Sequence, residues 1–317
     1  MKKKLYLPEG QRIDTEKNRE YTSSISGLEN AKQNGVILEG MAVLCDSQMS
    51  LHLELGDGIK GIIPKAEVAH ECSGNVIKDI AVITRVGKAV CFKVKNIQYD
   101  ENGKPFCLLS RREAQKECFE NYLSNLSPGD VIDSKITHLE HFGAFVDIGC
   151  GIVSLLSIDC ISVSRISHPS DRFSVGQYIK TIIKSIDKDS GRIYVTHKEL
   201  LGTWLENASL FSVGQTVAGI VRSVEDYGIF VELTPNLAGL AEYREGITVG
   251  QTTAVYIKNI IPERMKIKLV LIDSYKGERM VESCKAIQKE NDIRHIDVWK
   301  YSPDCCDKHI ETVFLQK

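Results

Sequence analysis

The chain has no excess of positive charge: 40 Lys and Arg residues stand against 42 Asp and Glu, a formal net charge of −2. No long-range field draws it toward a polyanion, which argues against a DNA-binding protein and leaves any nucleic-acid affinity to local geometry and stacking. Long apolar runs are also lacking, so no stretch is read as crossing a membrane. The basic start Met1-Lys2-Lys3-Lys4 runs into Leu5-Tyr6-Leu7-Pro8-Glu9 rather than into the apolar centre of a secretory signal. There is no glycine-rich lysine loop for phosphates, no His-Glu-x-x-His pair and no nucleophile set beside a base. The expectation is therefore of a protein that is not an enzyme, needs no cofactor and has no small-molecule substrate. Of the ten cysteines, Cys45, Cys91, Cys107 and Cys150 lie singly within apolar strand-like runs. That is the pattern of small buried thiols, not of a disulfide framework, and a reducing cytoplasm fits it. Cys305, Cys306 and His309 offer zinc-type donors. Adjacent cysteines rarely ligate one ion together, so no metal site is expected.

What the chain does have is a repeat. The stretch His141-Phe142-Gly143-Ala144-Phe145-Val146-Asp147 returns as Tyr227-Gly228-Ile229-Phe230-Val231-Glu232, and more faintly as Met49-Ser50-Leu51-His52-Leu53-Glu54. A pitch this long is that of a small domain used three times, each copy closing its own core. The 43% of hydrophobic residues can supply several modest cores.

In chain order, residues 1–33 are polar and charged and read as a flexible N-terminal tail ending in a short helix stopped by Gly35. Residues 34–113 form the first repeat, with strand-like runs over 36–45, 49–55, 59–63, 88–97 and 106–109 between Gly-, Asp- and Asn-containing turns. Ala114, Cys118, Phe119, Tyr122 and Leu123 then recur at helical spacing, which predicts a helical linker over 114–127. The second repeat spans 128–201, with strands expected over 131–139, 143–148, 152–156, 178–186 and 192–196. Its loop over 158–176 is long enough for a helical turn that plugs one barrel end. The third spans 213–273, with strands over 217–224, 229–233, 254–261 and 266–272 and only a short loop in place of the plug. Residues 274–317 read as a helix-like stretch over 278–290 and two strand-like runs, 293–301 and 310–315, that complete the trimmed third barrel. The fold class is predominantly all-β: three tandem five-stranded barrels joined by short helical linkers.

The second repeat resembles the S1 RNA-binding domain family, the oligonucleotide-binding (OB) barrel repeated in bacterial ribosomal protein S1. It carries Gly129-Asp130 before the first strand, Phe142 to Val146 on the second, and Asp187 with Gly191-Arg192-Ile193 at the last hairpin. The resemblance implies an RNA-contacting face made of Phe142, Phe145, Asp187 and Arg192, with Ser157 where the family has a histidine; His138, His141 or His168 would have to substitute. In the third repeat the corresponding residues are Tyr227, Phe230 and Lys266, but Glu242 and Ile261 replace the histidine and the aspartate. In the first, Met49 and His52 replace both aromatics. The second repeat is thus the expected reader, the third its helper, and the first a degenerate copy.

The chemistry is that of single-stranded RNA, which offers base faces to flat aromatics and a phosphate chain to a few cations. Phe142 and Phe145 are three apart, so strict alternation would send one ring into the core; a bulge or bend at Gly143 is expected to bring both to one face. The implied function is non-enzymatic binding of single-stranded RNA, messenger RNA in translation, with the ribosome or its proteins as further partners. The alternative is a protein-docking adaptor on the ribosome or on an RNA-processing complex, since the first repeat has lost its aromatics.

Overall fold

The structure, a computed structural model, describes residues 6–70, 78–187, 191–275 and 293–315. Fifteen strands close three five-stranded barrels of one topology. The first is β1 (Leu38–Cys45), β2 (Leu51–Glu54), β3 (Lys60–Ile63), β4 (Ala89–Tyr99) and β5 (Pro105–Ser110). The second is β6 (Val131–Glu140), β7 (Gly143–Asp147), β8 (Val153–Ser157), β9 (Tyr178–Ile186) and β10 (Ile193–Thr196). The third is β11 (Thr216–Glu225), β12 (Gly228–Thr234), β13 (Leu237–Ala241), β14 (Thr252–Ile261) and β15 (Lys266–Tyr275). In each, the first three strands form an antiparallel meander, the third pairs in parallel with the fifth, and the fourth closes back onto the first. This is the OB-fold, in which one set of alternate side chains fills the barrel and the other faces outward.

The strand Leu237-Ala238-Gly239-Leu240-Ala241 was not expected from sequence. It has no β-branched residue and so little intrinsic strand preference. Pairing to β12 and β15 imposes the conformation.

Residues 6–33 are not the flexible tail expected. Two helices, α1 (Glu16–Thr22) and α2 (Ile25–Gln33), are capped by Thr15 and Ser24, and α2 buries Leu28 and Ala31 against the first barrel. Ahead of them, residues 6–13 thread between the first and second barrels. Glu9, buried there, receives Nε of Arg111 at 2.7 Å and the amide of Cys91 at 3.0 Å, and its own amide donates to Asp147 at 2.7 Å. Glu39 accepts the amides of Gly10, Arg12 and Ile13, each at 3.0 Å. The segment is held by Tyr6, buried in the core of the second barrel against Tyr122, and by charge-assisted hydrogen bonds to groups on both barrels.

A short helix, α3 (Asp79–Ile83), lies between β3 and β4, and Arg111 opens the linker helix α4 (Arg111–Asn121). Ser110 caps α4 through the amide of Glu113, and Ala114 and Cys118 enter the core of the second barrel. A five-residue helix, α5 (Trp204–Ala208), leads to the third barrel with a Thr203/Glu206 capping box.

The C-terminal strands do not complete the third barrel, which closes on its own five. β16 (Val298–Lys300) and β17 (Glu311–Val313) form a separate two-stranded sheet. Trp299 and Tyr301 pack with the core of the third barrel, while Phe314 packs with Val131, Ile182 and Leu200 of the second. The segment is a wedge between two barrels. The helix expected over 278–290 lies outside the described residues.

Candidate nucleic-acid interface

The β6–β7 hairpin turns through two residues, His141 and Phe142, between the paired Glu140 and Gly143. Phe142 is therefore a turn residue and escapes strand alternation, while Phe145 lies on β7 with Ala144 and Val146, both fully buried, on the core side. The two rings meet edge to face with centroids 6.0 Å apart, and Phe142 is 54% exposed. The expected bulge at Gly143 is not where the shared face comes from. The register shift lies opposite, at Thr137 on β6. Gly143 serves a close approach instead: a Cβ there would sit 2.4 Å from the carbonyl oxygen of Leu156.

Cross-strand pairing continues this face. Phe145 pairs with Leu155, and Leu155 with Tyr194 on β10. Ile193 and Val195 fill the core, so Tyr194 points outward. His138, paired with Phe145 across β6, stacks on its ring at 6.4 Å. Arg192, just before β10, is exposed and makes no ion pair among the described residues; its carbonyl accepts the amide of Asp187 at 2.8 Å. His168 sits against His141 at 5.0 Å, with its Nδ1 accepting the amide of Ser170 as a local cap. The structure thus brings Phe142, Phe145 and Arg192 onto one side of the barrel with Tyr194, which the sequence reading missed. The signal was there: Ile193-Tyr194-Val195 alternates apolar, aromatic, apolar on a strand whose apolar residues are core.

The third barrel repeats the arrangement with other residues. Its hairpin turns at Asp226-Tyr227; Tyr227 is 70% exposed and meets Phe230 edge to face at 6.2 Å. The row runs Phe230, Leu240, Lys268, and Lys266 is exposed two residues earlier, where Arg192 stands in the second barrel. In the first barrel the row is His52, Ile62, Leu108, and His52 is tied to Asp46 at 2.9 Å. That row carries no Phe, Tyr or Trp ring. Among the described residues no three His, Cys, Asp or Glu side chains are grouped to hold a metal ion, and no helix is long and apolar enough to cross a membrane.

All three barrels are OB-folds, the second and third with an outward aromatic face, and residues 126–198 match the S1 RNA binding domain. The second barrel is therefore similar to the S1 RNA-binding domain family. The chain is 29% identical over 296 residues to the small ribosomal subunit protein bS1 of Staphylococcus aureus (strain COL), covering 88% of this chain and 70% of that protein. It is 28% identical over 296 residues to the bS1 protein of Staphylococcus epidermidis, with the same coverage. Among solved structures, a multidomain protein with nucleic acid binding domains from Streptococcus pneumoniae aligns with 76% of this chain and 75% of its own at 15% identity, with a TM-score of 0.25.

Proposed function

We infer that the chain binds single-stranded RNA, messenger RNA in translation, through the outer face of its second barrel, with the third barrel as a weaker second contact. The observation that supports this most is the continuous outward surface of Phe142, Phe145 and Tyr194 beside the exposed Arg192. Rings left outside the core offer stacking platforms for bases, and the guanidinium a partner for phosphate. Stacking contributes about 1–3 kcal/mol per base, so one barrel alone binds weakly and a second on the same strand adds through effective concentration. His168 lies against His141 beside this surface, and the Asp187 amide donates to the Arg192 carbonyl in the last hairpin. Binding without catalysis is the reading. The ribosome is the proposed setting because the bS1 relatives are ribosomal proteins.

The test is a titration of a labelled single-stranded oligoribonucleotide beside the same strand annealed into a duplex. The single strand should bind and the duplex compete poorly, because paired bases hide their faces. Equal affinities would refute base stacking.

A docking role for the first barrel is supported by its own surface. Met41, Val43 and Leu44 on β1 and Ile80, Ile83 and Val86 in and after α3 are large apolar side chains left exposed. Substituting Leu44 and Ile80 by Ser should abolish capture by ribosomal particles while RNA affinity is retained; unchanged capture would remove this reading.

A further inference from the structure

The binding face of the second barrel does not end at its own edge. Phe145, Leu155, Gly191, Arg192 and Tyr194 line one side of a cavity of about 520 Å³ whose other side is built by the first barrel and the linker helix, with His70, Arg85, Arg111 and Gln115. A space of this size is in the range that small organic ligands occupy. Its lining holds three arginines and neither Asp nor Glu among the described residues, in a chain whose net charge is −2. Arg111 is fully engaged with Glu9, the carbonyl of Val68 and the carbonyl of Gly151. Arg85 is not: its nearest carboxylate oxygen, on Glu9, is 3.7 Å away, and its buried Nε has no hydrogen-bond partner. The His70 backbone is anchored by its amide to Gln115 at 2.9 Å, and its ring lies against Phe119 at 6.4 Å. Burial, with Lys116 and Arg112 nearby, holds this imidazole below its ordinary pKa, so at neutral pH it is a flat, uncharged ring.

We propose that the first barrel, which has lost its own aromatic face, completes the second barrel's site: one nucleotide next to the base on Phe145 enters this cleft, its base against the His70 ring and its phosphate toward Arg85 and Arg192. This rests on the RNA reading above. It assigns the degenerate barrel a part in that site that its own outer face cannot supply. It also accounts for the rigid joint through Glu9 and Arg111, because a site shared by two barrels requires their relative position to be fixed.

The test has two arms on the full chain. In the first, affinity for a single-stranded oligoribonucleotide is measured for wild type, Phe145→Ala and His70→Ala, each checked by its melting curve. Loss of one stacked base predicts a weakening of about five-fold to more than a hundred-fold for either variant. In the second, which needs no substitution, wild-type protein is photo-crosslinked to RNA carrying 4-thiouridine at successive positions and the joined peptides are mapped. A crosslink at His70 or Arg85 from a uridine adjacent to the one that crosslinks Phe145 or Tyr194 supports the shared site. If Phe145→Ala weakens binding while His70→Ala binds as wild type and no crosslink reaches the first barrel, the proposal falls and the RNA reading stands. If neither variant weakens binding and no crosslink reaches either barrel, both fall. Should His70→Ala fail to fold, the crosslink map alone decides.

Discussion

Phe142 and Phe145 share a face for two separate reasons. One ring stands in a two-residue turn, where strand alternation does not apply, and the other lies on the outward side of β7. Gly143 makes this possible by letting the hairpin lie close to β8. Gly143→Ala would press a methyl group to 2.4 Å from the carbonyl of Leu156, and is expected to destabilise the second barrel by about 1–3 kcal/mol in urea denaturation. Gly228, whose Cβ would meet the carbonyl of Ala241 at 2.5 Å, should behave alike in the third. The aromatic pair was legible in the sequence because its motif is local. The turn that orients it was not, since a two-residue hairpin and a bulge both fit Phe-Gly-Ala-Phe. The buried carboxylates carry a pH prediction. Burial, aided by the Glu9 charge, pushes Glu39 up to about 7 despite its three backbone donors, and burial and Glu9 push Asp147 up to about 6. Both folded-state values lie above the unfolded ones, so their contribution to stability is fully present below about pH 4 and is lost as pH rises through 6 to 7. Glu9 acts oppositely: burial raises it, but Arg111 and Arg85 together hold it below its ordinary value, and its contribution is lost in acid. Glu39→Gln should flatten the decline in the urea midpoint between pH 5 and 8. A decline as steep as that of the wild type would contradict the assignment.

At the scale of elements, alternation and turn residues located the strands of the first two barrels to within a few positions, because their outward and inward faces differ sharply in polarity. They failed for β13, whose Leu-Ala-Gly-Leu-Ala sequence becomes a strand only through its neighbours. They failed also for residues 6–33, because hydrogen bonds to Glu39 and Asp147 are long-range and leave no periodic trace. The linker helix α4 carries the joint. Arg111→Met would leave Glu9 buried with only the 3.7 Å contact to Arg85 for charge, at an expected cost of about 3–5 kcal/mol in denaturant unfolding, and the added Glu9→Gln should recover part of it. The C-terminal strands were legible as strands but not as a wedge, since their partners lie on two different barrels. Phe314→Ala removes a 4% exposed ring from the contact with Val131, Ile182 and Leu200, and is expected to cost about 3–5 kcal/mol. A thermal melt unchanged by this substitution would mean the wedge adds nothing.

The whole molecule is three barrels of one topology joined by two different seams. The first seam is polar and threaded by residues 6–13. The second is built from the plug loop, whose Ser164 amide donates to the carbonyl of Pro235 at 3.0 Å, from the buried Asn236, and from the C-terminal wedge. Arg172 meets Glu232 across it, and Arg222, paired with Glu232 within the third barrel, lies 3.2 Å from Asp171 on the other side. On this frame the aromatic face is complete in the second barrel, altered in the third and absent from the first, so RNA affinity should be graded in that order. The measurement that tests this most directly is a low-salt titration of one labelled single-stranded RNA with wild type, Phe142→Ala/Phe145→Ala and Tyr227→Ala/Phe230→Ala. With all three melting alike, the account predicts at least a tenfold loss for the pair in the second barrel and a smaller loss for the pair in the third. Three superimposable binding curves would contradict it.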